Sequence, residues 1–262
     1  MAGVAEAVPF AAYDAARLAA IVACVGLGAA LCRRLGIPVR FTLLVSALCV
    51  PASAAASRLL DVVEYWAPGM SMAEAFSRNG SSIYGGLLAS LVVAAGMTYA
   101  RNVPTLVFLD GCAASLALGE AVTRLGCFAA GCCYGRASHG PLAVTFPPES
   151  FAFADMVARG ILDPAAPHTP PLHPVQLYSA AAMLAVAAGL VARLPSRRFD
   201  GELLCVFLVA YGALRLLVAP LRMEALDSMR AFSVLFVAAG TLGIAAGRRR
   251  RRPAPAIAPA VR

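Results

Sequence analysis

Three cysteines crowd into one glycine-rich stretch, RLGCFAAGCCYGR, which spans 124–136. Thiolates bind soft metals, but zinc ligands usually come as two separated pairs, which Cys127, Cys132 and Cys133 do not form. A disulfide from Cys127 to either of the other two is a second interpretation, because adjacent cysteines pair poorly. The third is that these are small packing residues in a tight re-entrant loop, next to glycines.

A single arginine, Arg215, stands inside the apolar run VFLVAYGALRLLVAPL, 206–221. Charged residues within a membrane span are costly and usually serve a function. The side chain either extends to the headgroup region or faces an internal cavity. A planar guanidinium binds phosphate oxygens in a bidentate manner, so the second interpretation predicts a phosphate ligand.

A second apolar segment carries both acidic residues and an arginine. Glu120 precedes Arg124 by four residues, a spacing that favours a local ion pair at the end of a helix. Asp110 lies towards the other end of the same segment, where we expect a structural hydrogen-bonding role.

Two short motifs begin further apolar segments. YGG occupies 84–86, and paired glycines let another backbone or a ligand approach closely. HPVQLY occupies 173–178, where the proline suits a helix start and the flanking residues suit a membrane interface.

These groups lie in a chain of 262 residues that is 60% hydrophobic and only 14% charged. A soluble domain has about 25% charged residues, so the composition argues against a soluble enzyme, a disordered chain and a nucleic-acid-binding protein. The net charge is +8, and every basic residue is arginine. In so apolar a chain this excess indicates membrane orientation rather than nucleic-acid binding. We expect no removable signal peptide.

Seven segments are long and apolar enough to span a membrane, which takes about 20 residues. They predict an all-α, polytopic integral membrane protein, a single domain over 1–252 with an outward-facing lipid-binding cavity. The proline-rich connection 124–173 is expected to form an extracytoplasmic cap with a short helix around 149–159. The Ala-Pro tail, 253–262, is expected to be disordered and cytoplasmic. The segments are 15–32, 41–60, 83–100, 104–123, 174–192, 202–221 and 231–247.

Arginines in alternate connections predict the orientation, because cytoplasmic loops carry an excess of positive charge. The side with more arginines, called the richer side, is assigned to the cytoplasm. The N-terminus then lies outside and the C-terminus inside. The three cysteines and the two motifs then share the outer side with Arg124 and Arg215, which predicts an outward anion site for a lipid headgroup. The richer side contains Arg33, Arg34, Arg40, Arg101, Arg193, Arg197, Arg198 and the run 248–252; the poorer side, without the long connection, contains Arg17, Arg58, Arg78, Arg222 and Arg230.

Four motifs over 80–222 resemble those of the bacterial prolipoprotein diacylglyceryl transferases, in the family's order. RLGCFAAGCCYGR is similar to Arg-x-Gly-Asn-Phe-x-Asn-Gly-Glu-x-x-Gly-Arg, and YGGLLA resembles His-Gly-Gly-Leu-Ile-Gly. HPVQLYSA resembles His-Pro-x-Gln-Leu-Tyr-Glu, and YGALRLLVAPLR resembles Tyr-Gly-x-x-Arg-Phe-x-x-Glu-Phe-x-Arg. The chain departs from the family at Tyr84 (His), Cys127 and Ala130 (Asn), and Cys132, Ser179 and Ala219 (Glu).

The resemblance implies transfer of the diacylglyceryl group of phosphatidylglycerol to the lipobox cysteine thiol of a prolipoprotein, in the bacterial inner membrane. It implies no metal, organic cofactor or nucleic acid. A divergent or inactive member that binds lipid headgroups or uses another acceptor is the alternative. Tyr84, His173 or His139 would accept the thiol proton. The implied catalytic residues are Arg124, Arg215, Tyr84, Tyr211 and His173, and the implied substrate-binding residues are Gly85, Gly86, Gly126, Cys127, Arg136, Gln176 and Arg222.

Overall fold

The computed structural model describes residues 10–64, 66, 70–77, 83–223 and 227–249; this part of the chain is 75% helical and contains no strand. The predicted all-α, polytopic class is thereby confirmed. The helices are α1 (Phe10–Arg34), α2 (Val39–Glu64), α3 (Met72–Ser77), α4 (Ile83–Ala100), α5 (Thr105–Ala130), α6 (Phe151–Ala158), α7 (Val175–Arg193), α8 (Glu202–Val218) and α9 (Asp227–Arg249).

Seven of these helices coincide with the seven predicted spans. Six are long and apolar enough to cross a membrane, and α4 is a shorter apolar helix. Helix α2 continues through Pro51. The tail 253–262, the arginines at 250–252 and Arg78 lie outside the described residues.

Helix α5 is the most buried span, because small residues recur along it. Ala113, Ala117 and Ala121 are each 0% exposed, and they share one core with Met183 of α7 and Leu203 of α8. Small side chains let neighbouring helices approach closely in a membrane. Helices α1, α7 and α8 therefore pack directly on α5.

The predicted end of α5 at residue 123 was wrong, since the helix continues to Ala130. The helix continues through Gly126. The glycine serves packing at this position, since α1 approaches so closely that a Cβ on residue 126 would lie 2.4 Å from the Cβ of Ala16. Gly131, with φ +73°, ends the helix in the left-handed conformation. The first two turns of the predicted re-entrant loop are thus helical.

The remaining connection, 131–174, is called the cap below. Its helix α6 begins after Ser150, whose Oγ accepts a hydrogen bond from the N–H of Phe153 at 3.2 Å. This confirms the short helix predicted around 149–159. The cap has its own apolar core, made of Tyr134, Phe146, Ala152, Met156 and Leu172.

Helix α3 was not predicted, although the sequence carries a signal for it. Ser71 and Glu74 form a capping box: Ser71 Oγ accepts the N–H of Glu74, and Glu74 Oε2 accepts the N–H of Ser71 at 2.8 Å. The Ser-x-x-Glu spacing is readable from the sequence alone.

Asp110 fixes the start of α8 against α5. Its buried carboxylate accepts hydrogen bonds from the backbone N–H groups of Gly201, Leu203 and Leu204 at 2.8–3.1 Å. An anionic group at a helix N-terminus satisfies otherwise unpaired donors. The structural role expected for Asp110 is confirmed.

The alternation of the helices gives the bundle two chemically different ends. Helices α4, α7 and α9 begin, and α5 and α8 end, at what is called the site end below. The opposite end, called the basic end, holds Asp110 and the described arginines at 33, 34, 40, 101, 193, 197, 198, 248 and 249.

Candidate active site

Arg124 and Glu120 form a buried ion pair within α5. The Nε and Nη2 atoms of Arg124 each lie 2.8 Å from the Oε1 atom of Glu120, and the two side chains are about one-tenth exposed. The predicted pair is confirmed. Because the pair lies more than a turn before the end of α5, Arg124 projects from within the bundle rather than from its edge.

Arg215 occupies the last turn of α8 and has a different environment. Its Nη2 atom lies 3.8 Å from the sulfur of Met229 at the start of α9. Among the described residues the structure gives it no carboxylate partner. A half-buried guanidinium beside a thioether keeps most of its hydrogen-bonding capacity for another group.

Tyr211 interacts electrostatically with both arginines. It lies one turn before Arg215, is 3% exposed, and interacts electrostatically with Arg124, Arg215, Glu120 and Tyr84. Its hydroxyl has no hydrogen-bond partner in the described part of the protein. A buried hydroxyl without a partner costs about 1–3 kcal/mol, so this group suits a polar ligand held between the arginines.

Arg222, just beyond α8, adds a third cation. Burial lowers the pKa of its guanidinium, and the nearby charges of Arg215 and Arg124 lower it further, while the Cys133 thiol acts in the opposite sense. Arg222 thus lies within electrostatic reach of both Arg215 and Arg124, and Glu120 neutralises only Arg124 directly. An anion such as a phosphate would relieve this repulsion.

Tyr84 begins α4 and packs against α9. Its hydroxyl donates a hydrogen bond to the carbonyl of Met229 at 3.2 Å, and its ring stacks on Phe232 with centroids 4.3 Å apart. Tyr84 therefore reaches the same region as Tyr211, but its hydroxyl is already engaged as a donor. A phenolate at this position would face a carbonyl oxygen.

The paired glycines of α4 pack against α2. A Cβ on Gly85 would lie 2.3 Å from the carbonyl oxygen of Ala56, and one on Gly86 would lie 2.5 Å from the Oγ of Ser53. The sequence left open whether a backbone or a ligand approaches these glycines; the structure has the backbone of α2 at Gly85 and serine side chains of α2 at Gly86. Gly126 is likewise filled by α1. Contact with substrate stays a prediction for all three.

The three cysteine sulfurs converge, which their spacing did not reveal. The Sγ atoms of Cys127, Cys132 and Cys133 all lie within 4.8 Å of one another, and all three are free thiols. Cys127 is buried in α5, while the other two are half-buried. Hydrogen bonds from the thiols of Cys127 and Cys132 lower the pKa of Cys133, and Arg124 acts in the same sense.

Gly135 and Arg136 tie the start of the cap to its own end and to the segment that follows α8. Gly135 donates its N–H to the carbonyl of His173 at 3.1 Å, and Arg136 donates its N–H to the carbonyl of Leu221 at 2.8 Å. The exposed Arg136 side chain also donates to the carbonyl of Arg222 at 3.1 Å. A Cβ on Gly135 would lie 2.6 Å from the His173 oxygen, so glycine is required at this crossing.

His173 and Gln176 connect the cap to α7. The ring of His173 packs edge to face on Tyr178, with centroids 6.3 Å apart. Gln176 is 1% exposed and donates from Nε2 to the carbonyl of Cys132 at 2.7 Å. Its Oε1 has no hydrogen-bond partner among the described residues. His139, the other histidine considered, is exposed on the cap.

Sequence reasoning missed Tyr13 and Met229. Tyr13 of α1 interacts electrostatically with all three clustered thiols, because Gly126 lets α1 lie against α5. Met229 contributes both its carbonyl, to Tyr84, and its sulfur, to Arg215. Neither residue belongs to a motif, so a single sequence offers no signal for them.

Comparison with known proteins agrees with the motifs. The model of the prolipoprotein diacylglyceryl transferase family matches residues 4–246. A phosphatidylglycerol–prolipoprotein diacylglyceryl transferase of Clostridium tetani is 30% identical over 144 residues, which cover 55% of this chain and 52% of that protein. The transferase 2 of Clostridium perfringens is 25% identical over 168 residues, which cover 63% of this chain and 60% of that protein.

A transferase of the same name from Treponema pallidum is 27% identical over 169 residues, 59% of this chain and 50% of that protein. The chain thus spans half to three-fifths of the length of these curated relatives. The family model nevertheless covers nearly all of it, including every residue of the site end described above. The chain belongs to the prolipoprotein diacylglyceryl transferase family.

Proposed function

We propose that this protein is a transferase that moves the diacylglyceryl group of phosphatidylglycerol to the lipobox cysteine thiol of prolipoproteins, the first step of lipoprotein maturation. Its family membership and the names of its relatives support this activity. The single observation that carries the proposal is the buried, unpartnered hydroxyl of Tyr211, which interacts electrostatically with both Arg124 and Arg215.

The phosphate of phosphatidylglycerol is the group that this arrangement suits. As the bond between the glyceryl carbon and the phosphate oxygen breaks, the leaving glycerol-1-phosphate gains a second negative charge. Arg124, held by Glu120, and Arg215, held beside Met229, are positioned before the reaction to stabilise that charge. The Tyr211 hydroxyl would donate a further hydrogen bond.

Other residues take supporting roles in the proposal. Arg222 would contribute to the field that attracts the anionic headgroup. Gln176, through the Cys132 carbonyl, would fix the loop that faces the acceptor. Tyr84 would position α4 and α9, while His173 or His139 remains a candidate for accepting the thiol proton.

The orientation is part of the same proposal. The basic end would face the cytoplasm and the site end the outside of the bacterial inner membrane, because cytoplasmic loops carry excess arginine. The N-terminus and the cap would then lie outside, the C-terminus inside, and the site end would form the outward-facing lipid cavity. Prolipoprotein acceptors would reach the site from that side.

A second candidate function is headgroup binding without transfer. Two observations favour it: the Tyr84 hydroxyl is engaged by the Met229 carbonyl, and Ser179, which replaces a family glutamate, donates to the carbonyl of Val175 in its own helix at 2.8 Å. Both arginines of the site would still bind phosphate in such a protein.

A transfer assay separates the two functions. Vesicles containing the protein receive phosphatidylglycerol labelled in its acyl chains and a synthetic lipobox peptide. The proposed transferase moves label to the peptide, and Arg215→Lys loses this activity, whereas Arg159→Lys, on the cap, keeps it. Binding of the labelled lipid with no transfer by the wild-type protein would favour the second candidate.

A further inference from the structure

The thiols of Cys127, Cys132 and Cys133 form the most concentrated set of metal-binding side chains in the described part of the chain. Two backbone features bring them together. Gly131, with φ +73°, turns the chain back at the end of α5, and Cys133 itself has φ +55°. A left-handed conformation at a residue with a side chain is strained, and such strain is characteristic of functional sites.

The spacing of the sulfurs suits a single metal ion. Zn–S bonds are about 2.3 Å long, so three sulfurs on one tetrahedral zinc lie about 3.8 Å apart. The three Sγ atoms lie within 4.8 Å of one another, a difference that small side-chain rotations remove. We propose that Cys127, Cys132 and Cys133 bind one thiophilic metal ion, Zn²⁺ by its chemistry, as three thiolate ligands with a fourth position open.

The charges around the cluster support metal thiolates. Three thiolates and one Zn²⁺ carry a net charge of −1, and both Arg124 and Arg222 lie within electrostatic reach of the sulfur atoms. Ligand loops at metal sites are usually fixed by hydrogen bonds from a second layer of residues. The bond from Gln176 to the Cys132 carbonyl, at 2.7 Å, has that position here.

The cysteine cluster differs from a structural zinc site in its number of ligands and in its exposure. Structural sites supply four protein ligands, whereas catalytic sites supply three and leave one position for water or substrate. Only Cys127 is buried, and Cys132 and Cys133 are half-buried, so one side of the cluster is accessible. The three cysteines are not two separated pairs, the spacing typical of structural zinc sites, but three ligands from one segment suffice for an open site.

A role for the metal follows if the proposed function holds, and this part of the inference rests on it. The acceptor thiol would occupy the fourth position and release its proton to solvent, since coordination to zinc deprotonates a thiol. Its sulfur attacks the glyceryl carbon and forms the C–S bond, while the C–O bond breaks and its electron pair stays on the phosphate oxygen. Glycerol-1-phosphate leaves as a dianion beside Arg124 and Arg215. Tyr84, which replaces the family histidine, is then not needed as a base.

Metal binding is tested on the purified full-length protein without any assay of transfer. After equilibration with Zn²⁺ and dialysis, we expect one zinc per chain by elemental analysis. Substitution with Co²⁺ should give thiolate-to-cobalt charge-transfer absorption. Bound metal should also protect Cys127, Cys132 and Cys133 from alkylation in the wild-type protein, as read by peptide mass spectrometry. Cys205, which lies on α8 away from the cluster, provides the internal control.

Variants complete this test. Replacing all three clustered cysteines with serine should abolish the zinc and the charge-transfer bands, whereas Cys205→Ser should keep both. Absence of stoichiometric zinc in the wild-type protein, or equal zinc in the triple variant, would overturn the site. So would a disulfide between any two of the three in protein purified without reductant. The wild-type alkylation pattern keeps the test decisive even where the triple variant fails to fold.

The role in transfer is measured separately. Assistance in proton removal contributes about 10²–10⁴-fold to rates, so removing zinc with a chelator should slow transfer by roughly a hundredfold, and added Zn²⁺ should restore it. Undiminished transfer by metal-free protein overturns the acceptor role. Stoichiometric zinc without transfer to any lipobox peptide leaves the metal site standing and overturns the proposed function instead.

Discussion

Arg124 directs two of its nitrogen atoms at a single oxygen of Glu120, one helical turn earlier in α5, with both distances 2.8 Å. The pair leaves Nη1 of the guanidinium and the second carboxylate oxygen for other partners. Arg215 has no comparable carboxylate among the described residues. Removal of Arg124 would leave the buried carboxylate of Glu120 without its partner, whereas removal of Arg215 would leave no described carboxylate unpaired. Loss of Arg124 should therefore cost more stability than loss of Arg215.

Replacing Glu120 by Gln should destabilise the protein. The change leaves the buried Arg124 without a compensating charge, and breaking a buried pair in this way costs about 3–5 kcal/mol. Thermal unfolding in detergent measures the effect. Glu149→Gln, an exposed cap position, is the matched control and should unfold like the wild type. An unchanged unfolding temperature for Glu120→Gln would show that solvent already screens the pair.

Substitution of lysine for either site arginine should abolish most lipid transfer while the protein still inserts and accumulates. Lysine retains the charge but loses the planar fork that binds two phosphate oxygens. Arg215→Leu should insert at least as well as the wild type, since an arginine in the last turn of a span costs less than the about 2.5–3.5 kcal/mol of a central one, and should also lose transfer. Labelled phosphatidylglycerol, a lipobox peptide and a blot for protein level give the readouts. Near wild-type transfer by both lysine variants would remove the bidentate-phosphate argument.

The two tyrosines of the site should respond differently to loss of the hydroxyl. Tyr211→Phe removes an unpartnered donor aimed at the proposed phosphate, and removal of one such donor costs roughly a hundredfold in rate. Its stability should not fall, because no hydrogen bond is lost. Tyr84→Phe keeps the stacking on Phe232 and loses one bond to Met229, about 1 kcal/mol of stability. Its transfer rate should stay near wild type. A large loss of transfer in Tyr84→Phe alone would identify Tyr84 as the proton acceptor.

A matched pair of glycines in α4 tests packing against ligand contact. Gly85→Ala would place a Cβ 2.3 Å from the backbone oxygen of Ala56, which cannot move as a side chain can, so we expect a loss of about 1–3 kcal/mol. Gly96, in the same helix, has nothing within 4 Å of its Cβ position, and Gly96→Ala should be neutral or stabilising. A Gly85→Ala variant with normal stability but weakened lipid binding would instead support the substrate contact predicted from the motif.

Hydropathy predicted the seven apolar helices. A segment in lipid must satisfy all its backbone hydrogen bonds internally, so a sufficiently long apolar segment forms a helix. The end of α5 escaped prediction because Gly126 resembles a helix breaker in sequence, whereas in the fold it admits Ala16 of α1. The grouping of Tyr84, Arg124 and Arg215 was predictable from helix alternation alone. The contact of Tyr84 and Arg215 with Met229 was not, because α9 carries no motif.

The convergence of the thiols marks the limit of spacing arguments. Cys127 and Cys132 are five residues apart, which in a continuous helix would separate their sulfurs around the axis. The left-handed Gly131 lies between these two cysteines and turns the chain back, and Cys133, also with a positive φ, adds the third sulfur. Glycine makes such a turn predictable at 131, but nothing in the residue type indicates a positive φ at Cys133. The spacing alone therefore argued against a metal, and the proposal of a metal site depends on the three-dimensional structure.

The orientation of the bundle can be checked by thiol labelling at both ends. Ser138, the natural choice on the cap, is unsuitable because it is 8% exposed and its Oγ accepts the N–H of Gly140. Glu149 on the cap and Ser196 at the basic end are both exposed. In intact cells with a permeabilised outer membrane, a membrane-impermeant reagent should label Glu149→Cys above the background of the native cysteines. Ser196→Cys should react only after the inner membrane is opened. Labelling of Ser196→Cys in intact cells would reverse the orientation, and the site end would then face the cytoplasm, away from the side proposed for its acceptors.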